Sequence, residues 1–243
     1  MRLIRKIHKW TSVVVGIQFL LWLLSGLYFN VMDHSKSAAR TYRNHMVQNA
    51  EIEKSRLIEP KVILQQFQPT VSLALIQLLD TPYYLLTHQQ GLYQHFSNEH
   101  SLVNAYNGNK TVIDEVMASQ LAQQSYNGPG EISSTLLIKG SLEDFPKEKN
   151  NAWQINFADE INTSVYVDAH SGRIIGHSDD NKRLADLFFM VHFMDYGKEG
   201  SFNNFAIIAF AFMTLWLSLT GLIWTIDLGM RGQYKLKRVT KSK

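Results

Sequence analysis

The sequence contains no cysteine among its 243 residues. It therefore cannot form a disulfide scaffold, a cysteine nucleophile or a thiolate metal site. Proline and glycine are also sparse, at 5 and 14 residues, and 45% of the residues are hydrophobic, which excludes a collagen-like fibre and a disordered chain. The sequence has no GxSxG, no HExxH and no phosphate-binding loop, and nothing in it resembles a flavin or nicotinamide fold.

Charged residues are missing from two long apolar runs, which cover residues 13–31 and 202–226. About 20 helical residues cross a hydrocarbon core of roughly 30 Å, so both runs predict transmembrane helices. Tryptophans near their ends are typical of interface anchors. The alternatives are a buried core helix for either run and a cleaved signal peptide for the first. The first run is longer than the apolar region of a signal peptide and lacks a small-residue cleavage site, which favours an uncleaved anchor.

Basic residues lie on the terminal side of each run. Residues 1–12 and 227–243 together carry a net charge of +9, which leaves −6 for residues 32–201 because the whole chain carries +3. Lys and Arg near the ends of spans stay in the cytoplasm, so we expect both termini to be cytoplasmic and the central segment to lie outside. The basic clusters are short and juxtamembrane, so they predict contact with membrane lipid and no nucleic-acid binding.

The central segment contains a short internal repeat. Residues 103–109 read VNAYNGN and residues 167–173 read VDAHSGR, 64 positions later. An Asn or Asp side chain can bond the backbone two residues ahead, and glycine supplies the positive φ of a tight turn. Each copy therefore predicts a strand that ends in a turn, within a unit of one helix followed by three antiparallel strands. The predicted helices cover residues 60–67 and 112–124, and the predicted strands cover residues 71–78, 83–88, 102–105, 132–139, 152–158 and 163–167.

The predicted fold class is an α+β membrane protein, in which two transmembrane helices flank two helix-plus-antiparallel-sheet units. Two helices make a poor bundle, so we expect a homodimer with a four-helix membrane bundle, and Gln18 is a candidate for a hydrogen bond across that interface. The predicted divisions are a basic tail (1–12), a first span (13–31), an outward extension of its helix or a linker (32–57), two repeat units (58–110 and 111–178), an amphipathic interfacial helix (179–201), a second span (202–226) and a basic tail (227–243).

Several short motifs follow one another in a specific order along the chain. They are RKIHKW at 5–10, SGL at 25–27, the 167–173 turn, VHFMDYG at 191–197 and LTGLIW at 219–224. This order resembles the PepSY-associated transmembrane family, and the two repeat units then correspond to PepSY domains. The chain is most similar to the small VciB-like members, which are implicated in iron reduction and stimulate ferrous iron uptake in Gram-negative bacteria. The resemblance implies a bacterial inner-membrane protein with a periplasmic central domain.

Histidine is the candidate ligand type, and three histidines lie near the membrane boundaries: His8, His34 and His192. Two imidazoles from different helices can bind haem iron axially, and the resemblance favours His192 and His34 as ligands of a haem b at the outer face. His8 is 26 residues from His34, or about 39 Å along one helix, so it predicts a second haem shared with the same residue of a second subunit. The alternative for each is a boundary residue that reaches water.

A further set consists of His88, His95 and His100 with Glu99. Their spacing fits no single helix or strand, so a solvated loop is the alternative to an iron-collecting site.

The resemblance implies an electron-transfer protein that reduces ferric iron, its substrate, to ferrous iron ahead of a ferrous iron importer. Electrons would come from quinol or a partner reductase, and the protein is then a possible ferric reductase. The competing hypothesis is a non-enzymatic, membrane-anchored PepSY module that binds or regulates a partner.

Overall fold

The computed structural model describes residues 2–44, 51–197, 201 and 203–232. The described chain falls into two compact units, which we call the membrane unit (residues 1–31 and 188–243) and the central unit (residues 32–187). The helices are α1 (Arg2–Val31), α2 (His34–Ser37), α3 (Pro60–Gln66), α4 (Glu115–Ser125), α5 (Asp180–His192) and α6 (Phe205–Met230). The strands are β1 (Ser72–Leu78), β2 (Thr81–Gln89), β3 (Glu99–Asn104), β4 (Lys110–Thr111), β5 (Ile132–Ile138), β6 (Ala152–Phe157), β7 (Ser164–Asp168) and β8 (Ile174–Ser178).

Two helices of the membrane unit are long and apolar enough to cross a bilayer. They are Lys6–Val31 within α1 and Phe205–Met230, which is α6, each of 26 residues. Only 17% and 6% of their most apolar stretches are buried by the protein itself. A core helix of a soluble protein is mostly buried, so that alternative is wrong for both runs. The exposed apolar side chains are suited to lipid.

The break after α1 differs from the expected outward extension of the first helix. α1 ends at Val31, and Asp33 has an extended backbone with φ −75° and ψ 110°. Its carboxylate accepts hydrogen bonds from the backbone N–H groups of Ser35 at 2.8 Å and Lys36 at 3.1 Å. These bonds cap α2, so a new short helix begins where a continuation was expected.

Each half of the central unit contains one antiparallel sheet whose strands pair in chain order: β1-β2-β3-β4 and β5-β6-β7-β8. The predicted fold class is confirmed, with one addition. A fourth strand follows each repeated turn, because the chain doubles back and pairs with the strand before the turn. The closing backbone bonds are Asn104 N–H to Asn109 C=O at 2.9 Å and Asp168 N–H to Arg173 C=O at 2.8 Å.

The repeated turns have the predicted geometry in both copies. The side-chain Oδ1 of the first turn residue accepts two backbone N–H bonds, and a glycine with positive φ closes the turn. The groups are Asn104 with Tyr106 (2.9 Å), Asn107 (3.2 Å) and Gly108 (φ 74°), and Asp168 with His170 (3.0 Å), Ser171 (2.8 Å) and Gly172 (φ 70°).

Helix α4 packs on the second sheet, and the buried residues of its apolar face belong to a core cluster that also includes residues of the first sheet. Its Leu121 belongs to the same buried cluster as Leu102 of the first sheet and Val165 of the second. The helix begins at Glu115, later than predicted, because the Asp114 carboxylate accepts a hydrogen bond from Met117 N at 2.8 Å and caps it there. Residues of α4 therefore contribute to a single core cluster that joins the two repeats.

The outer faces of the two sheets are covered by different segments. Ile63 of α3 packs on the first sheet against Leu86, and Leu142 in the segment 139–150 packs on the second sheet against Tyr166. The middles of β2 and β7 are thus buried on both faces, so their sequences, YYLL at 83–86 and VYV at 165–167, are apolar without alternation.

The first turn of α5 is attached to the second sheet by a charged cluster. The Arg183 guanidinium donates to Asp144 Oδ2 at 3.2 Å and to Ser164 Oγ at 2.9 Å, and Tyr166 donates its hydroxyl proton to the same Asp144 oxygen at 3.0 Å. Burial favours the neutral carboxyl, but these contacts outweigh it and lower the pKa of Asp144.

His177 on β8 makes the stability of the central unit depend on pH. The side chain is 4% exposed, its Nε2 lies 3.0 Å from Ser125 Oγ, and its Nδ1 has no hydrogen-bond partner among the described residues. Burial, with a smaller contribution from Arg43, lowers the pKa of His177 from 6.5 to about 4. Between pH 6.5 and about 4, the unfolded chain therefore binds a proton at His177 that the folded chain does not bind. The stability is complete above pH 6.5 and is lost as the pH falls from 6.5 to about 4.

We predict that, because of His177, the free energy of unfolding falls by roughly 3 kcal/mol as the pH falls from 6.5 to about 4. The His177→Gln variant keeps a donor for Ser125 but has no titratable group, so its unfolding free energy should vary less with pH. Denaturant unfolding followed by Trp153 fluorescence at several pH values measures this effect. The exposed His170 supplies the control, because His170→Gln should retain the wild-type pH dependence. Equal pH dependence in wild type and His177→Gln would contradict the assignment.

Gly172 generates a second prediction. It has φ 70°, and a Cβ added to it would lie 2.8 Å from Leu78 Cδ1. Gly140 also has a positive φ, 94°, but an added Cβ would meet nothing within 4 Å. Both alanine variants strain the backbone, whereas only Gly172→Ala also overpacks the core. We expect Gly172→Ala to lower the unfolding free energy by about 1–3 kcal/mol more than Gly140→Ala does. Equal losses in denaturant titrations would exclude the close packing.

Candidate functional site

His192 is the last residue of α5 and lies in the membrane unit against α1. Its Nδ1 is 2.9 Å from Ser25 Oγ, a buried hydroxyl that is 1% exposed. Aromatic rings surround the imidazole, with centroids at 5.3 Å for Phe29 and 6.3 Å for Trp22. The imidazole is therefore held by one hydrogen bond inside an otherwise apolar pocket of side chains.

The hydrogen bonds of Ser25 determine which nitrogen of His192 carries the proton. Ser25 Oγ donates its only proton to the Leu21 carbonyl at 2.7 Å, one turn earlier in α1. With its proton on the Leu21 carbonyl, Ser25 Oγ accepts from His192, and in that arrangement Nδ1 carries the proton and Nε2 has the free lone pair. A neutral imidazole oriented through Nδ1–H, with Nε2 available, is the form in which histidine binds metals.

The indole of Trp22 adds an unsatisfied donor beside His192. Its Nε1 atom is buried and has no hydrogen-bond partner among the described residues. A buried N–H without an acceptor is costly, and indole N–H groups usually find a partner. The donor, the available imidazole nitrogen and the aromatic surroundings fit a large, mostly apolar group with a metal centre and polar substituents, such as haem.

His8 has the same arrangement elsewhere in the membrane unit. Its Nδ1 lies 2.8 Å from Thr220 Oγ1 of α6, and that hydroxyl donates to the Trp216 carbonyl at 2.8 Å. With the Thr220 proton on that carbonyl, Nδ1 again carries the proton and Nε2 is left available. The Trp224 ring meets the imidazole edge-on at 5.7 Å, and Gly221 lies beside His8, where an added Cβ would make an ordinary contact of 3.6 Å with His8 Cε1.

His8 and His192 lie far apart in the membrane unit. Ser25, which holds His192, is 17 residues from His8 on the continuous helix α1, or about 26 Å along its axis. A single cofactor cannot bind both imidazoles in one chain.

His34 is placed in the central unit, as the first residue of α2. Its side chain is exposed, and its backbone carbonyl accepts a hydrogen bond from Ser37 Oγ at 3.2 Å. The pairing of His34 with His192 stays a prediction.

The histidines of the central unit do not form the proposed iron-collecting set. Both ring nitrogens of His88 have partners, Nδ1 at 2.7 Å from the Pro69 carbonyl and Nε2 at 2.9 Å from Ser101 Oγ. The ring of His95 stacks on Tyr93 instead. Across the described ranges, no group of three or more histidines and carboxylates is placed to hold a metal ion. Among the remaining histidines, His45 lies outside those ranges.

Gln18 has two partners within its own chain, and a contact across a dimer stays a prediction. Its Nε2 donates to the Val191 carbonyl at 3.4 Å, and its Oε1 accepts from the Tyr196 hydroxyl at 3.4 Å. Its side chain is thereby used to hold the segment around His192 to α1.

The hydroxyls of Ser25 and Thr220 were not recognised in the sequence as partners of histidine. Each is one of a few polar residues in an apolar run, and that isolation is the only signal the sequence offers. The separations of 167 and 212 residues from their histidines make the pairing visible only in the folded chain.

The comparison with protein families gives one match. The model of the PepSY-associated TM region matches residues 1–226, which include both long apolar helices and the central unit. No curated protein and no solved structure gives a significant match. With the family model covering nearly the whole chain, this membrane protein belongs to the PepSY-associated transmembrane family.

Proposed function

We propose that this protein binds haem b and transfers electrons that reduce ferric to ferrous iron at the periplasmic face of the inner membrane, in support of ferrous iron uptake. The observation that carries the proposal is the pair of imidazoles with the same geometry. In both His192 and His8, a hydroxyl of another helix holds Nδ1–H, and Nε2 is left available. If the histidines served packing alone, the same hydrogen-bond arrangement would not be required at both of them.

The chain's own residues have distinct roles in this proposal. His192 and His34 would hold a haem at the outer face, and His8 would hold a second haem together with the same residue of a second subunit in a homodimer. Ser25 and Thr220 fix the orientation and tautomer of their histidines. Haem, when bound, supplies one-electron redox chemistry. The Trp22 indole is a donor for a polar substituent of the group that His192 holds.

Iron enters this proposal as the substrate and not as a resident ion. One electron converts Fe(III) to Fe(II), with no bond to the protein formed and no proton transferred, so the reaction needs neither a nucleophile nor a general base. The electron comes from quinol or a partner reductase, and a ferrous iron importer consumes the product.

A second candidate function is a non-enzymatic module that binds or regulates a partner. One observation favours it: the central unit has a cavity of about 660 Å³ that contains none of His8, His34 and His192 in its lining. Haem content distinguishes the two candidates, because a binding module does not require haem.

We predict a haem spectrum for the purified protein. Detergent-solubilised protein from haem-replete cells should show a Soret band, and sharp α and β bands should appear on reduction with dithionite. His192→Ala should abolish or shift the spectrum, whereas His88→Ala should leave it unchanged because both nitrogens of His88 are already bonded. A haem-replete preparation without any haem absorbance would exclude the proposed function.

The hydroxyl–histidine contact can be tested separately. A hydrogen bond from Nδ1–H increases the basicity of a ligating imidazole and favours the ferric form. Ser25→Ala should therefore raise the reduction potential measured by spectroelectrochemistry. Ser218→Ala is the matched control, because the exposed Ser218 hydroxyl donates only to the Thr214 carbonyl of its own helix. Equal potentials in wild type and Ser25→Ala would show that Ser25 does not act on the ligand.

The membrane orientation is testable because the chain has no native cysteine. Single cysteines introduced as Lys139→Cys and Lys241→Cys can be probed in intact spheroplasts with a membrane-impermeant maleimide. We expect labelling at position 139 in intact spheroplasts and at position 241 only after lysis. The reverse pattern would place the central unit in the cytoplasm.

A further inference from the structure

The cavity of the central unit lies between three segments that come from both repeats. Its walls are the face of the first sheet that carries Ile76 and Leu85, the loop of residues 90–98, and the second repeated turn, residues 168–174. At about 660 Å³ it falls within the range of small-molecule sites. Apolar side chains form much of the wall, including Ile76, Leu85 and Ile174.

Arg173 is the one cationic side chain among the described lining residues. Burial lowers the pKa of His100, which also lines the cavity, although the Asp168 carboxylate opposes this shift. His100 is therefore neutral at neutral pH and adds no charge to the site. The guanidinium of Arg173 is partly exposed and has five N–H donors, of which Nη2 donates to Glu148 Oε2 at 2.7 Å.

The turn itself does not require an arginine. The first repeat has Asn109 in place of Arg173, and both turns close with the same backbone hydrogen bond, at 2.9 Å and 2.8 Å. The turn of the first repeat packs on Ile58 through Gly108, whereas the turn of the second lines the cavity. The guanidinium is thus an addition specific to the repeat that faces the cavity.

The surroundings of Arg173 are rigidly built. Glu148, which is 3% exposed, holds the guanidinium and also accepts a hydrogen bond from Asn150 Nδ2 at 2.6 Å. Asn150 in turn holds the 90–98 loop, donating to the Phe96 carbonyl at 2.9 Å and accepting from Asn98 N at 2.9 Å. One chain of bonds therefore fixes both the cationic group and the loop that covers it, as a preformed ligand site requires.

The buried acid in the turn is already satisfied. Asp168 Oδ1 accepts from the backbone N–H groups of His170 and Ser171 and from the Ser171 hydroxyl. Asp168 is only 2% exposed, whereas the Arg173 side chain is 32% exposed, so a ligand meets the remaining guanidinium donors rather than the carboxylate.

We propose that this cavity binds a small organic carboxylate with an apolar body. The carboxylate pairs with the free N–H donors of Arg173, and the body lies on Ile76, Leu85 and Ile174. A guanidinium matches a carboxylate in shape and charge, and the apolar wall favours a hydrocarbon or aromatic group attached to it. The site involves none of the proposed haem ligands, so it does not depend on the proposed redox function.

Isothermal titration calorimetry of the full chain in detergent, with a detergent blank, tests the proposal. The probes are 3-phenylpropionate and its uncharged analogue 3-phenylpropanamide. We expect the carboxylate to bind at least about tenfold more tightly than the amide, because only the carboxylate pairs with the guanidinium. Failure of the carboxylate to bind, or equal affinity for the two probes, would overturn the proposal.

Variants separate ligand binding from folding. Arg173→Gln should reduce the affinity for 3-phenylpropionate to that for the amide, but it leaves the buried Glu148 without its cation. The double variant Glu148→Gln/Arg173→Gln removes both charges and should fold yet lack the preference for the carboxylate. Glu148→Gln alone should retain or strengthen carboxylate binding, because Arg173 then has no competing carboxylate.

Arg56→Gln is the matched control. Arg56 is an exposed arginine of the same unit that pairs with Glu53 and does not line the cavity. The Arg56→Gln variant should bind both probes as the wild type does. Undiminished carboxylate binding by the double variant would show that Arg173 serves only to pair with Glu148.

Discussion

A polar side chain in a hydrocarbon environment must find its hydrogen-bond partner inside the protein, and this constraint positions both histidines of the membrane unit. When a serine or threonine in a helix gives its one proton to a carbonyl a turn earlier, it accepts from a facing group. Ser25 and Thr220 both follow this rule. Each therefore selects one tautomer of its histidine and directs the unprotonated nitrogen away from the contact. In the proposed function, the orientation of both haem ligands therefore depends on hydroxyls that do not themselves bind the haem.

The central unit depends on a different constraint, the sharing of one core by two sheets. A small sheet with a single helix on one face buries little apolar surface, and both repeats fall into this class. Leu121 of α4 belongs to one buried cluster with Leu102 of the first sheet and Val165 of the second, so the two repeats share a core. The same arrangement brings the second turn near the face of the first sheet, and the cavity occupies the space between them. The cavity is thus a consequence of joining two repeats and is a property of neither alone.

The sequence predicts the spans and the sheets well, because each depends on local signals. Uncharged runs identify α1 and α6, and the Asn-x-x-x-Gly and Asp-x-x-x-Gly patterns identify the turns that end β3 and β7. Asp33 and Asp114 are local caps as well, but each competes with a helical pattern that continues through it, so the helix boundaries were misplaced. The partners of His8 and His192 depend on how helices far apart in the chain pack. No spacing rule contains that information, and the bonds of Gln18 within its own chain were missed for the same reason.

The two repeated turns share a backbone but have different surroundings. In the first, Gly108 is enclosed by Ile58 and Ile63, so only side chains that preserve the packing are tolerated around it. In the second, the flanking residue projects from a turn that its side chain does not help to build. The two copies of one turn therefore differ in what a change of side chain would cost: around Gly108 it would disturb the packing, whereas at position 173 it would alter the cavity lining and leave the turn's backbone bond in place.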